Sequence, residues 1–278
     1  MLVFLNGHFV PEEKAVVSVF DRSFLYGDGL FETLRVYGGK PFCWPQHLER
    51  LRRGAEFLNL RLPFGPAALE QFAMQLIHRN QMPDSLLRIS LSRGVGPRGY
   101  SPKGADRPSL VISLHPAPAI DREKPPAWRV ATSSFRLPAN EPLAQFKTCN
   151  KLPQILARAE AEAAGAQEAL LLNTDGEVAE AASSNLFWIQ NNVICTPPLA
   201  SGILAGVTRA VMLDICQNLG LPAREQGIFP KALLQAEGIF LSLSSLGVVE
   251  VRSLDGHPLR QSPLVPKIRA AYRQCTAK

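Results

Sequence analysis

Lys147 and Glu180 are the residues of this 278-residue chain whose types and settings most invite chemistry. Lys147 lies in Phe146-Lys147-Thr148-Cys149-Asn150-Lys151-Leu152, at the entrance to a helix read over 150–164. Glu180 lies in Val178-Ala179-Glu180-Ala181-Ala182-Ser183-Ser184-Asn185-Leu186-Phe187, at the end of a short apolar strand and before a turn of small residues. A lysine amine condenses with an aldehyde to a Schiff base, and a carboxylate beside a heteroaromatic nitrogen keeps that nitrogen protonated. Taken singly, either residue is more often a solvated surface charge, so the surroundings decide.

Other residues could grip an anion. Arg93-Gly94-Val95-Gly96-Pro97-Arg98-Gly99-Tyr100 sets two arginines among small flexible residues. A guanidinium pairs bidentately with a carboxylate, so this loop reads as a carboxylate grip, with a solvated basic turn as the alternative. Gly202-Ile203-Leu204-Ala205-Gly206-Val207-Thr208-Arg209 leads into a helix over 210–219. There the free backbone N–H groups and the helix dipole would face an anion together. Thr33 adds a hydroxyl on a strand, although a β-branched residue suits a strand in any case. Arg50, beside Glu49, reads on its own as a solvated helix charge.

The elements follow from period and punctuation. Asn6-Gly7 signals a hairpin, Val16 to Phe20 reads as a strand, and Leu30 to Val36 alternates as a half-buried strand. A turn over 37–40 leads to another strand from Pro41 to Trp44. The helix over 47–58 carries Leu48, Leu51, Ala55 and Leu58 on one stripe, and a second helix covers 66–79. Strands follow at 86–92, 110–114 and 128–132. In the helix over 150–164, Leu152, Ile155, Leu156 and Ala159 recur at helical spacing, with Pro153 in the first turn and Gly165 after the end. Hairpins turn at Asn173-Thr174-Asp175-Gly176 and at Asn191-Asn192, and a turn at Ser244-Ser245-Leu246-Gly247 follows a strand over 239–242. The Pro-rich, charged stretch 116–126 is the linker candidate. It divides a smaller α/β domain, 1–115, from a larger one, 127–278.

Hydrophobic residues make up 46% and charged residues 19%, which supports a large core and argues against global disorder. No apolar run is long enough to cross a bilayer, and the first residues lack a signal peptide's basic region, so no membrane partner is expected. Cys43, Cys149, Cys195, Cys216 and Cys275 are scattered, with no CxxC pair. That pattern points to a reducing compartment, the cytoplasm, and away from a disulfide framework or a metal site. The net charge of +6 and pI of about 9.2 come without a long basic block or interleaved aromatics, so nucleic acid is not the expected partner.

Taken in order from Asn6 to Asp255, these features resemble the fold-type IV, or class IV, pyridoxal phosphate enzymes. That group includes branched-chain aminotransferases, D-amino acid aminotransferases and aminodeoxychorismate lyases. The most specific block is Lys147 followed by Glu168-Ala169-Leu170, Gly176, Val178, Glu180 and Asn185-Leu186-Phe187. Within the family the chain looks most like aminodeoxychorismate lyase. Thr33 stands where branched-chain aminotransferases carry glycine, Ser92-Arg93-Gly94 to Arg98-Gly99-Tyr100 is similar to the lyase loop, and Asn150-Lys151-Leu152 resembles the lyase's Asn-Arg-Leu. The sequence departs from the lyase pattern at Lys151, Ser245 and Glu250.

The resemblance implies a two-domain α/β fold whose second domain has a barrel-like sheet, pyridoxal 5'-phosphate as cofactor, and a homodimer. It implies that Lys147 forms the Schiff base and that Glu180 pairs with the pyridine nitrogen. Arg50, Ser244 and the N–H groups of Val207 and Thr208 would hold the phosphate. Arg98, Arg93 and Tyr100 would face the carboxylate of a small anionic substrate, and Thr33 would assist a proton transfer. The activity implied is conversion of 4-amino-4-deoxychorismate to 4-aminobenzoate and pyruvate. An amino acid transaminase of the same fold is the alternative enzyme. A non-catalytic basic binding module is the alternative of another class, and it leaves the order of Lys147, Glu180 and the Val207-Thr208 turn unexplained.

Overall fold

The computed structural model describes residues 1–121 and 123–277; position 122, within the 116–126 stretch, and position 278 lie outside the described residues. The chain folds as two compact units, Met1–Pro118 with Phe146–Asn150, and Ala119–Gln145 with the chain from Lys151 onward. Both are mixed α/β.

In the first unit, Asn6 and Gly7 take positive φ (49° and 100°) and turn β1 (Leu2–Leu5) onto β2 (His8–Pro11). A short α1 (Arg22–Tyr26) precedes β3 (Gly29–Tyr37) and β4 (Lys40–Pro41). Two helices follow, α2 (Trp44–Phe57) and α3 (Pro66–Asn80), then β5 (Ser85–Ser92) and β6 (Ser109–Pro116). The strands form a six-stranded sheet in the order β2-β1-β6-β5-β3-β4.

Period-two alternation gives this sheet two unlike faces. Leu30, Leu34 and Val36 of β3, with Leu87, Ile89 and Leu91 of β5 and Leu110, Ile112 and Leu114 of β6, join Leu48, Leu51 and Ala55 of α2 and Leu69 and Leu76 of α3 in one core. Each buried leucine contributes roughly 1.5–3 kcal/mol. The opposite face carries Phe31, Thr33 and Arg35, which stand across from Ser90, Arg88 and Leu86 in the β3–β5 register.

Phe146–Asn150 follows the 116–126 stretch in sequence yet belongs to this unit. The Phe31 N–H donates to the Lys147 carbonyl at 2.8 Å, the Cys149 N–H donates to the Gly29 carbonyl at 2.9 Å, and Leu30 bridges Thr148. The segment thus forms a short antiparallel ladder alongside the first three residues of β3.

Two expected strands differ. Residues 16–20 form no strand; Val16, Val19 and Phe20 lie largely exposed, because apolar content without a neighbouring ladder cannot make a strand. After Pro41 the chain turns at Cys43, in the left-handed region (φ 55°), and Trp44 already begins α2.

The second unit is built on a nine-stranded sheet curled into a half-barrel. Its elements are β7 (Ala127–Leu137), α4 (Leu152–Ala163), β8 (Glu168–Asn173), β9 (Val178–Ala181), β10 (Asn185–Gln190), β11 (Val193–Thr196), α5 (Val207–Asn218) and β12 (Ala223–Glu225). They continue with α6 (Pro230–Leu233), β13 (Gly238–Leu243), β14 (Gly247–Leu254), β15 (His257–Pro258) and α7 (Leu264–Thr276). The order is β12-β11-β10-β13-β14-β7-β8-β9, with β15 on β14.

β7 and β8 pair in parallel, and α4 is the crossover between them. The expected apolar stripe of α4 is not its buried face. Ala157 and Ala161 pack against Ala169, Leu171 and Ala179, whereas Leu152 and Ile155 lie more than half exposed. Small side chains let the helix sit close on the sheet, and the bulky ones are turned away.

Candidate functional site

The sequence-derived candidates fall into two sets, one in each unit. In the first unit Lys147 is half-buried, its backbone fixed to β3 by the hydrogen bond from Phe31. Its Nζ stands 4.8 Å from the centroid of the Phe31 ring. The guanidinium of Arg88 lies over the same ring at 3.8 Å, so one aromatic side chain serves two cations. Arg88 stands directly across from Thr33. Its Nε donates to Ser90 Oγ at 3.1 Å, and among the described residues no carboxylate pairs with it. Burial pushes the guanidinium below its ordinary value, with only the nearby Cys149 thiol opposing. A half-buried cation without a counter-ion is a place for an anion.

Sequence reasoning missed Arg88. The available signal was alternation: Leu87, Ile89 and Leu91 face the core, so Arg88 must face the other way.

Beneath that face, Arg50 reaches from α2 to Glu32 on β3 rather than to solvent. Its Nε donates to Glu32 Oε1 at 2.8 Å and its Nη2 to Oε2 at 2.6 Å. His47 Nδ1 lies 2.7 Å from the same Oε2. Burial raises the Glu32 carboxyl, but the Arg50 charge, the Arg50 hydrogen bond and then His47 reverse this and hold it at about 2. Burial first, then the charges of Arg50 and Lys147, push His47 below its usual value, against the pull of Glu32. A neutral imidazole beside an ionised carboxylate must donate its Nδ1–H to it. Glu32 and His47 therefore brace Arg50, a role that residues fifteen and eighteen positions apart do not announce in sequence.

The arginine loop is held from inside. Arg93 donates to Asp28 Oδ2 at 2.8 Å and to the carbonyls of Asn59 and Leu58 at 3.0 and 2.9 Å. Arg22 donates to the same Asp28 oxygen at 2.8 Å and to the carbonyls of Gly99 and Tyr100 at 2.8 and 3.1 Å. Burial raises the Asp28 carboxyl, but hydrogen bonds from Arg93 and Arg22 outweigh it and leave it below the ordinary value. All three guanidine nitrogens of Arg93 thus have partners within the unit, the Asp28 carboxylate and the two carbonyls that follow α2. Arg98 and Tyr100 are exposed, Tyr100 at 88%, with its ring edge-on to Tyr26 at 5.7 Å.

In the second unit Glu180, the residue before the last of β9, is half-buried. Its Oε2 accepts from the Leu204 N–H and from Asn185 Nδ2, each at 3.0 Å. Gly206 is the N-cap of α5, no side chain caps that helix, and Val207 and Thr208 occupy its first turn. The opening amides are thus donors for an outside anion. Thr208 Oγ1 and Ser244 Oγ lie 3.4 Å apart, which puts two hydroxyls beside those amides.

These sets supply an amine, a braced carboxylate and an anion cradle. Residues 29–254 match the family model described as amino-transferase class IV. The chain belongs to that family. It is 32% identical to a D-alanine aminotransferase of Staphylococcus aureus (strain MSSA476), over 96% of this chain and 94% of that one. It is 29% identical to the aminodeoxychorismate lyase of Bacillus subtilis (strain 168), over 91% and 87%. The T.th. branched-chain amino acid aminotransferase, solved with pyridoxamine 5'-phosphate, superposes with a TM-score of 0.93 at 30% identity, covering 99% of this chain and 94% of that chain.

Proposed function

We propose that this class IV enzyme is a lyase that converts 4-amino-4-deoxychorismate to 4-aminobenzoate and pyruvate with pyridoxal 5'-phosphate as cofactor. The residues fit that cofactor. α5 opens on uncapped amides, a Cβ at Gly206 would press on Asn185 Oδ1, so the chain runs close against that amide there, and a carboxylate held by two donors lies nearby in the same unit. When bound, the cofactor supplies an electron sink for the carbon that bears the substrate amine.

The chain's own groups do the rest. Lys147 would carry the cofactor's aldehyde end at rest, and its amine, once displaced by the substrate amine, would be the base that takes the proton from the amine-bearing carbon. Glu180 accepts a hydrogen bond from the ring nitrogen and keeps it protonated. Arg50, Ser244 and the amides of Val207 and Thr208 hold the phosphate. Arg88 and Arg98, with Tyr100 alongside, engage the substrate carboxylates. Thr33 orients or relays the proton that arrives on the enolpyruvyl side; the carbon–oxygen bond breaks, pyruvate leaves, and the remaining ring becomes aromatic. Aromatisation drives the step, so positioning and charge are the protein's main contributions.

The observation that carries this reading is Thr33 standing across from Arg88 on the sheet face where Lys147 overlies Phe31. It offers a hydroxyl and a cation lacking a counter-ion to a substrate with two carboxylates. The test is incubation of the purified protein with 4-amino-4-deoxychorismate. Pyruvate and 4-aminobenzoate forming without any 2-oxo acid is the expected result; turnover that requires an oxo-acid acceptor overturns it. That second outcome is the transaminase reading, favoured by the D-alanine and branched-chain relatives, in which Lys147 performs a 1,3-proton shift.

The functional form is a homodimer. Val16, Val19, Phe20 and Phe24 of the first unit are each largely exposed, an apolar surface that a second copy would cover. Sedimentation at twice the chain mass is the expected measurement. Among the described residues no helix is long and apolar enough to cross a membrane, and none of the five cysteines is paired in a disulfide. Free thiols accord with a cytoplasmic setting.

A further inference from the structure

We propose that Asn185 is a positioning residue that locks the Glu180 carboxylate to the start of α5, so that the grip on the ring nitrogen and the grip on the phosphate are set together. The inference deepens the reading above and rests on its assignment of Glu180 and of the Val207–Thr208 turn to the cofactor.

The geometry is a closed triangle. Asn185 Nδ2 donates to Glu180 Oε2 and to the Leu204 carbonyl, each at 3.0 Å, and the Leu204 N–H donates to the same Glu180 oxygen at 3.0 Å. A carboxylate and a carbonyl only accept, so only the NH2 end of the amide can face both, and its two hydrogens match two acceptors. The other end of the amide meets the chain before α5: a Cβ at Gly206 would lie 1.9 Å from Asn185 Oδ1. Gly206 caps α5 immediately before Val207 and Thr208. Asn185 therefore touches the chain on both sides of Ala205.

Its own position is firm. It is 5% exposed, it begins β10, and it pairs with Ser242 on β13, two residues ahead of Ser244, whose hydroxyl lies 3.4 Å from Thr208 Oγ1. A shift of this one amide displaces the acid and the cradle alike.

Binding to the cofactor-free protein tests the coupling through three probes: pyridoxal 5'-phosphate, pyridoxal, which lacks the phosphate, and a 1-deaza analogue, in which C–H replaces the ring nitrogen. The wild type prefers the first over both others. Asn185→Asp presents an acceptor to two acceptors, and Asn185→Ala removes the amide. Either substitution is expected to shrink both preferences by about tenfold, the worth of one charge-assisted hydrogen bond at each end. Gly206→Ala, which forces Asn185 aside while keeping its chemistry, is expected to do the same, and it serves if Asn185→Asp does not fold. Glu180→Gln is expected to shrink only the preference over the deaza analogue. Equal weakening of all three probes by the Asn185 variants would make the residue merely structural and overturn the coupling, as would loss of one preference alone. If Glu180→Gln leaves the deaza preference intact, the assignment of Glu180 fails, and the coupling falls with it.

Discussion

Glu32 should leave a signature in the acid sensitivity of this protein. Its carboxyl sits at about 2 in the folded chain, against an ordinary value of 4.5. A depression of about 2.5 units, at roughly 1.4 kcal/mol each, makes the ionised form worth about 3 kcal/mol to the folded state. Because the folded value is the lower one, that contribution is complete above pH 4.5 and is lost as pH falls from there towards 2. His47 adds to the trend from a higher pH. Its folded value also lies below the ordinary 6.5, so acid must charge a buried imidazole. The perturbation is Glu32→Gln, which keeps the shape and removes the charge. Urea unfolding of the cofactor-free protein, wild type against variant, is expected to give a gap of about 3 kcal/mol at pH 7, narrowing to roughly half of that near pH 3. A gap that stays constant across that range would refute the reasoning, since packing alone does not titrate.

Four further outcomes are expected. Lys147→Ala should abolish turnover and the visible absorbance of the reconstituted protein, and a variant retaining both would remove Lys147 from the chemistry. Glu180→Gln should keep the cofactor but lose most of the rate, as single-turnover kinetics would show. Arg88→Leu should raise KM for a carboxylate substrate about ten- to a hundredfold while leaving unfolding stability unchanged or higher, because a half-buried charge without a counter-ion is removed. Arg93→Ala should weaken the fold by roughly 1–3 kcal/mol, because it leaves the Leu58 and Asn59 carbonyls without their donors; thermal unfolding checks this.

What the sequence disclosed was mostly local. Asn6-Gly7 and Asn191-Asn192 announce positive φ, and the structure has it at all four residues. The α2 stripe of Leu48, Leu51 and Ala55 is buried as its period requires. The misreadings came from information that local pattern does not hold. Residues 16–20 have strand-like content but no strand beside them. On α4 helical spacing was right and the inward face was wrong, because the closeness of β8 favours Ala157 and Ala161 over leucine. α1 and α7 escaped notice; α1 is only five residues long, too short for a periodic signal. Among the candidate residues, those on turns were legible as donors or acids. Arg88, Glu32, His47 and Asp28 were not, because their meaning depends on partners across strands and helices.

Lys147 owes its address to a short stretch of ladder, Gly29 to Phe31 against 147–149. Neighbouring residues in such a ladder point to opposite sides, so a single added or deleted residue between Phe146 and Asn150 would swing the amine from the Phe31 side of the sheet towards α2 and α3. Changes of length can be absorbed in the loops that flank this ladder but not within it, which makes these few backbone hydrogen bonds a reading frame for the chemistry.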